Sequence, residues 1–319
     1  MFRLCHNVEI GRYRLKLFSD VFVKRSVESL SDTATITVPG RHLNRPLSLQ
    51  GKINRGDRVL IELGYDDRLR NEFSGYVEKI TDHDGTLKIE CLDELYLFKQ
   101  KSLENVEHKG ITLTDLLKLL CAAVDPSIQV RCDYEFGYEK FVFLHVTAYD
   151  VLKKIQEETR ADIFFDDGTL HVHAPYAWIA NDQTVRFDPA RNIEKCDLRW
   201  VDNADKKVRV EVKVRMPNGK EDKVEKGLEG GETVNIISAS SNLDDANWLA
   251  EAEYARRVGT GYEGSFTGWL VPYVAPAYKV SLHDDDRELR DGVYYVTATE
   301  VNFGSTGGSR KITLGRRLS

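Results

Sequence analysis

Two histidines occupy alternate positions at the end of Leu170–His173, a segment rich in β-forming residues. Side chains two residues apart on a strand point to the same face, so the imidazoles of His171 and His173 could begin a metal site. A third ligand has no identifiable position in the sequence. The pattern therefore favours strand histidines at the surface or half-buried, with no metal bound. Replacing both by alanine is then expected to leave folding nearly intact.

A second candidate is the acidic segment His283–Asp286, which carries the oxygen ligands that hard cations prefer. It lies between two predicted strands, where aspartates commonly form turns. It also lacks the Asp-x-Asp-x-Asp-Gly spacing and the distal Glu of a calcium loop. The segment therefore indicates a solvated turn.

Motifs of catalysis are missing from the sequence. It contains no Gly-x-Ser-x-Gly elbow, and the glycine-rich segment Gly227–Gly231 is acidic and follows no apolar strand. Five scattered cysteines without a Cys-x-x-Cys pair indicate reduced thiols made in a cytoplasm. We therefore predict no catalytic residue, no cofactor and no metal. A catalytic pair among the 51 Asp and Glu residues stays open.

Basic residues concentrate in two places that could recognise an acidic partner. In the segment 207–215 every second residue is valine, and the residues between carry a formal charge of 4 − 1 = +3. No acid follows Glu300 near the carboxyl end. Two interpretations stay open, a solvated strand face or a complementary assembly surface. The candidate residues are Lys207, Arg209, Lys213 and Arg215 in the first place and Arg310, Lys311, Arg316 and Arg317 in the second.

Net charge and hydropathy exclude two classes of partner. The chain has 45 Lys and Arg against 51 Asp and Glu, a formal charge of −6, whereas wrapping nucleic acid requires a concentrated basic face. The longest apolar runs, such as 116–124, are far shorter than the ~20 residues of a membrane-spanning helix. Glu9 interrupts the amino terminus before any apolar segment of a secretory signal. We expect neither specific nucleic-acid binding nor membrane insertion.

The elements that must position these residues are mostly strands. In the first hundred residues Thr33–Val38, Arg58–Leu63, Phe73–Thr81 and Leu87–Leu92 have strand composition, and Asp84–Gly85 predicts a hairpin turn. About five or six strands with short loops indicate a barrel or a sandwich.

The middle of the chain changes to helical spacing. Leucines at that spacing predict a helix over Leu113–Val124, which Thr112 or Thr114 could cap, and a second helix begins near Thr147. A hairpin follows at Ala161–His173.

The last third returns to strands around one helix near 244–257. The sequence therefore predicts a mainly β fold with an α+β insert. We divide it into a β domain at 1–105, an insert at 106–180 and a second β domain at 181–319.

Several segments, in order along the chain, resemble the baseplate hub proteins of phage tails. These form the late control protein D family, to which the hub part of the VgrG proteins of type VI secretion is related. Leu30–Pro39 is similar to the family's early strand, and Gly56–Tyr65 with Phe73–Val77 to its central hairpin pair. Thr147–Val172 is similar to its helix-and-hairpin insert, and Gly292–Gly315 to its closing strands.

This resemblance implies a structural protein of the virion, located in the tail baseplate and assembled in the cytoplasm of the bacterial host. The two β domains would be tube-like barrels. Three copies would form a homotrimeric ring that adapts a hexameric tail tube to a trimeric central spike. The implied partners are the chain itself, the tail tube protein, the central spike protein and other baseplate proteins, with DNA passing transiently. The sequence ends at Ser319 without a needle, lysozyme-like or peptidase extension, so spike and wall-degrading functions are expected on other chains.

Two alternatives stay open. One is the hub portion of a tail-associated protein from a non-contractile tail, which the neighbouring genes would distinguish. The other is a β-rich hydrolase of cell-wall glycan, which would clear a peptidoglycan suspension.

Overall fold

The computed structural model describes residues 3–42, 45–46, 51–83, 85–202, 207–216, 219–285 and 290–319. Asp84 of the predicted hairpin and Asp286 of the acidic segment lie outside the described residues. Across the described ranges the chain is mainly β, as predicted, with four α-helices.

The elements fall into three groups along the chain. The first comprises β1 (Leu4–Ile10), β2 (Tyr13–Leu15), β3 (Asp20–Ser26), β4 (Thr33–Pro39), β5 (Arg41–His42), β6 (Arg45–Pro46), β7 (Arg58–Tyr65), β8 (Arg68–His83) and β9 (Thr86–Leu92). The second comprises α1 (Leu95–Gln100), β10 (Val106–Thr112), α2 (Leu113–Val124), β11 (Gln129–Cys132), β12 (Gly137–Phe143), α3 (Ala148–Thr159), β13 (Asp162–Asp166) and β14 (Thr169–His173). The third comprises β15 (Thr184–Phe187), β16 (Lys195–Val201), β17 (Val208–Arg215), β18 (Glu221–Gly227), β19 (Glu232–Ile237), α4 (Leu243–Arg257), β20 (Gly261–Trp269), β21 (Lys279–Leu282), β22 (Gly292–Gly304) and β23 (Gly307–Arg317).

The N-terminal lobe consists of β1–β9, and its main sheet is antiparallel in the order β3-β4-β9-β8-β7-β1-β2. Strand β4 shows the alternation that builds it, because Ala34, Ile36 and Val38 are buried while the threonines between them stay partly exposed. Val21 of β3 and Val8 of β1 come from strands far apart in the sheet but join the same hydrophobic cluster. The sheet therefore curls around its own core.

The C-terminal lobe consists of β15, β16 and β20–β23, around a core that includes Phe187, Phe266 and Ile312. Strand β22 belongs to both lobes. Its first half pairs with β21, and its last residues, Ala298–Gly304, pair with β3. One continuous sheet therefore connects the two β lobes.

The middle lobe contains the helices that the sequence predicted. Helix α2 begins after Thr112, whose side chain accepts a hydrogen bond from the backbone N–H of Asp115 at 3.1 Å. Helix α3 begins with a capping box between Thr147 and Asp150. The helices cover β10–β14, and their apolar faces form one large core.

The packing divides the chain differently from the three predicted ranges. Residues 208–257, predicted within the second β domain, share the core of the middle lobe with α1–α3 and β10–β14. The valines of β17 give that strand one apolar face, which α4 covers. Trp248 of α4 in turn lies 6.0 Å, between ring centroids, from Tyr134 of the insert. The middle lobe therefore comprises residues 95–173 and 208–257, and the C-terminal lobe comprises 184–201 and 261–317.

Candidate functional site

The eight predicted assembly residues lie in different environments, and Arg310 is not on the surface. Its guanidinium donates to both carboxylate oxygens of Glu72, at 3.0 and 2.7 Å, and each side chain is 1% exposed. The ring of Tyr273 lies 4.7 Å from the guanidinium carbon. Since Glu72 lies in β8 and Arg310 in β23, this ion pair joins the N-terminal and C-terminal lobes.

The charged face of β17 is largely neutralised by its neighbour. Strand β18 runs antiparallel to it and places Glu225 within 2.5 Å of the Arg209 guanidinium. Lys213 lies 4.0 Å from Glu211 on its own strand, and Arg215 is in register with Glu221. Glu211 was already counted in the charge of this face, but Glu221 and Glu225 lie on β18, and the charge pattern of β17 does not show that β18 pairs with it.

Lys311 is also paired, in this case across the final hairpin. Its ammonium lies 3.6 Å from the carboxylate of Glu300, the residue opposite it on β22. Arg310, Arg209 and Lys311 are therefore engaged within the chain.

Residues from both predicted basic stretches meet in one cleft between the middle and C-terminal lobes. The cleft has a volume of about 700 Å³ and is bounded by the start of β17, the end of α4, β20 and β23. Five basic residues and two acids line it, for a lining charge of 5 − 2 = +3. We call it the basic cleft, and its charged residues are Lys207, Arg256, Arg257, Arg316, Arg317, Glu232 and Glu263.

Only some of these cations are compensated. Arg256 lies 2.5 Å from Asp162, and Arg257 lies 2.6 Å from Glu253. Lys207, Arg316 and Arg317 form no ion pair with a carboxylate in the part of the chain that the structure describes. Arg317 instead donates to backbone carbonyls, including that of Ser319 at 3.2 Å.

Arg256 and Arg257 of this cleft are not among the residues that the sequence pattern singled out. Their signal was visible, since both end the predicted helix near 244–257, and basic residues are favoured in the last turn of a helix. Their proximity to Arg316 was not visible, because it depends on how the middle lobe packs against β23.

The two strand histidines are buried and hydrogen-bonded, unlike the surface or half-buried residues predicted. His171 Nδ1 lies 3.0 Å from His173 Nε2, and His173 Nδ1 lies 2.6 Å from a carboxylate oxygen of Asp133. The ring of His171 stacks on Phe164, and that of His173 stacks on Trp178. The expectation that a double alanine variant folds nearly intact is therefore reversed, because it would remove two buried rings from this cluster.

Burial of these rings makes stability depend on pH. Burial first, and then the neighbouring His173 and Arg131, together lower the pKa of His171 from 6.5 to about 4 against the opposing effect of Asp133. The unfolded chain takes up a proton near the ordinary pKa, and the folded chain takes it up only at lower pH. The contribution of His171 to the free energy of unfolding is therefore complete above pH 6.5 and falls as the pH drops toward 4.

We expect the His171→Phe variant, which keeps an aromatic ring against Phe164, to lose part of this dependence. The urea midpoint of each protein is to be compared between about pH 7.5 and about pH 5. The fall should be smaller for the variant than for the wild type. An equal fall in both would show that His171 does not titrate in this way.

The acidic segment forms a small ion-paired cluster. His283 contacts Asp291 through Nδ1 and lies 2.9 Å from Asp285 through Nε2. Asp291 raises the pKa of His283 through this hydrogen bond. Among the described residues no three His, Cys, Asp or Glu side chains are placed to hold a metal ion.

Two buried carboxylates lie together where α1 begins. Asp93 accepts a hydrogen bond from the backbone N–H of Asp32 at 2.8 Å and another from Leu95 at 3.0 Å. Asp32 accepts from Arg25 at 2.9 Å and from the backbone N–H of Ser26 at 3.0 Å. Burial raises the pKa of both carboxyls, that of Asp93 well above its ordinary value. These bonds hold the chain at the start of α1.

All five cysteines are free thiols, of which Cys91 and Cys121 are buried and Cys196 is exposed. Among the described residues, no helix is long and apolar enough to span a membrane.

No protein-family model matches the sequence, and no curated protein matches it. Solved structures do match over nearly the whole chain. A tail protein from Neisseria meningitidis MC58 is 16% identical, with a TM-score of 0.69, covering 98% of this chain and 96% of that one. The 43 kDa tail protein of prophage MuSo2 from Shewanella oneidensis is 13% identical, with a TM-score of 0.71 and 98% of both chains covered.

A third solved structure comes from a secretion machine. The E. coli c3393 protein, a component of the type VI secretion system, is 8% identical, with a TM-score of 0.60, covering 98% of this chain and 77% of that one. At these low sequence identities, the structural similarity shows that this chain shares their fold. The β-rich fold implied by the resemblance is therefore confirmed.

Proposed function

We propose that this chain is a structural hub in the baseplate of a contractile phage tail or a related injection machine. The observation that carries the proposal is the match to two tail proteins along nearly their whole length as well as its own. A match of that extent includes all three lobes and the order in which the chain forms them. In this role the protein acts by assembly rather than by catalysis.

The arrangement of the β lobes supports a ring. Two curled β lobes are joined into one sheet by the pairing of β22 with β3. Three copies of the chain would present six such lobes around one axis. A trimer of this kind would match a hexameric tail tube on one side and a trimeric central spike on the other. Its partners would be other copies, the tube protein, the spike protein and other baseplate proteins, in the virion tail.

The edges of the continuous sheet supply a way to close the ring. Within the described residues β16 pairs only with β20, and β2 pairs only with β1, so each strand has one unpaired side. Unpaired strand edges invite association with other strands. Contacts between the edges of neighbouring copies would cover them.

The two ring-forming units are the N-terminal and C-terminal lobes, with the middle lobe as the insert. This assignment replaces the continuous range 181–319 with 184–201 and 261–317. The proposal requires the two lobes to superpose as similar barrels in a structure of the assembled ring.

We expect light scattering to show a homotrimer of about 109 kDa, three times the chain mass of 36.4 kDa. Ring contacts of moderate size depend on concentration, so the measured mass should rise with concentration and reach a plateau at this value. A plateau at the mass of a dimer or a tetramer would contradict the ring. A monomer at every concentration would contradict assembly by the chain alone.

A further inference from the structure

We infer that the basic cleft binds an extended acidic segment of a partner protein. The identity of that partner as a component of the same assembly rests on the proposed function. Binding in the cleft is a separate property and can be tested on the isolated chain.

Uncompensated charge is the first argument. Lys207 lies just before β17 of the middle lobe and Arg316 lies in β23 of the C-terminal lobe, and neither forms an ion pair within the described residues. They stand out on a chain whose formal charge is −6. Complementary charges across an interface guide association and suppress wrong partners. A cleft with two exposed, unpaired cations on opposite lobes therefore fits a ligand with more than one carboxylate.

The shape of the cleft favours an extended chain. It lies between the middle and C-terminal lobes, and its lining runs from Lys207 and Glu232 through the segment 258–261 to Arg316 and Arg317. Gly259 adds no side chain to it. The volume of about 700 Å³ is within the range of ligand-binding clefts, about 300–1,000 Å³.

Other features of the cleft disfavour nucleic acid. Glu232 and Glu263 line the cleft and are already paired, with Arg257 at 3.7 Å and Arg199 at 3.6 Å, so the free cations do not form the continuous row that a phosphate backbone needs. Single-stranded nucleic acid also needs exposed aromatic rings on which bases stack. Tyr262 is buried, and Tyr176 is partly buried with its ring edge-on to Tyr295, 5.4 Å between centroids. A peptide can place its carboxylates at the free cations and avoid these acids.

The test uses a fluorescein-labelled dodecapeptide of alternating Glu and Thr, with an alternating Gln and Thr peptide as the uncharged counterpart. Fluorescence anisotropy measures binding to the full chain. We expect the acidic peptide to bind and the uncharged peptide not to bind. The double variant Lys207→Glu, Arg316→Glu should weaken binding by about tenfold or more. Both residues are exposed, and near-ultraviolet circular dichroism checks that the variant keeps its fold.

A matched control separates the cleft from general charge. Lys16→Glu with Lys118→Glu makes the same charge change at two exposed lysines that do not line the cleft, and it should leave affinity within about twofold. Equal weakening by both double variants, or no binding of the acidic peptide, would overturn the inference. So would tighter binding of a labelled oligodeoxythymidine that the cleft variant abolishes. A correct trimer mass with failed peptide binding would reject the cleft and leave the proposed hub role standing.

Discussion

Replacing Glu72 by alanine is expected to lower the free energy of unfolding by about 3–5 kcal/mol. The substitution leaves the Arg310 guanidinium buried without its carboxylate, and a buried unpaired charge is among the most costly defects in a folded protein. Because the pair joins two lobes, the loss should appear in the main unfolding transition. Equilibrium unfolding in urea, followed by intrinsic fluorescence, measures it.

Two variants show whether the effect comes from the unpaired charge. Glu90→Ala removes the carboxylate of a solvent-accessible pair with Lys88 and should cost about 0–1 kcal/mol. Glu72→Met combined with Arg310→Met replaces both partners and should recover much of the loss from Glu72→Ala, since buried ion pairs often exchange for apolar residues at little cost. Similar small losses from Glu72→Ala and Glu90→Ala would contradict a buried bridge between the lobes.

The second large effect is expected from Leu117→Ala in α2, at about 2–5 kcal/mol. Leu117 is 0% exposed in the core of the middle lobe, so the substitution removes buried methyl groups and leaves a cavity. The melting temperature and the urea midpoint should both fall clearly. The alternative, a helix lying on the surface, would give an unchanged melting curve.

The same helix offers the control. Leu119 lies two residues away and is 48% exposed, so Leu119→Ala makes the same chemical change without opening a cavity. We expect its cost to be within about 0.5 kcal/mol, as for most surface substitutions. Equal costs at Leu117 and Leu119 would mean that the packing of α2 differs from that described.

Local patterns predicted the elements whose stabilising contacts are local. The leucines of α2 and its cap Thr112 lie within one stretch of about a dozen residues. The local sequence therefore carries both the helical periodicity and the signal for where the helix begins. The alternation of β17 likewise puts its valines on one face, and Val210 and Val212 of that face are buried. The segments that resemble the hub family are each unspecific, but their order along the chain predicted the fold.

Contacts between distant residues could not be read in this way. Glu72 and Arg310 are separated by 238 positions, and Arg310 looked like a surface charge because it lies beside Lys311 in a carboxyl-terminal stretch without acids. Asp133 was missed as the partner of His173 because β11, which precedes it, pairs in parallel with β14 across an intervening helix. The basic cleft was missed for the same reason. Its walls come from two lobes, and the packing of one lobe on the other leaves no periodic signal in the sequence.

The shared sheet also fixes an order of events during synthesis. Val23 of β3 pairs with Val301 of β22, and 301 − 23 = 278 residues separate them. At a translation rate of about 5–20 residues per second, β3 waits roughly 15–55 s for this partner to emerge from the ribosome. Throughout that interval the nascent N-terminal lobe carries an open strand edge, which invites pairing with other chains. Chaperones that bind nascent chains would therefore find β3 exposed during this interval.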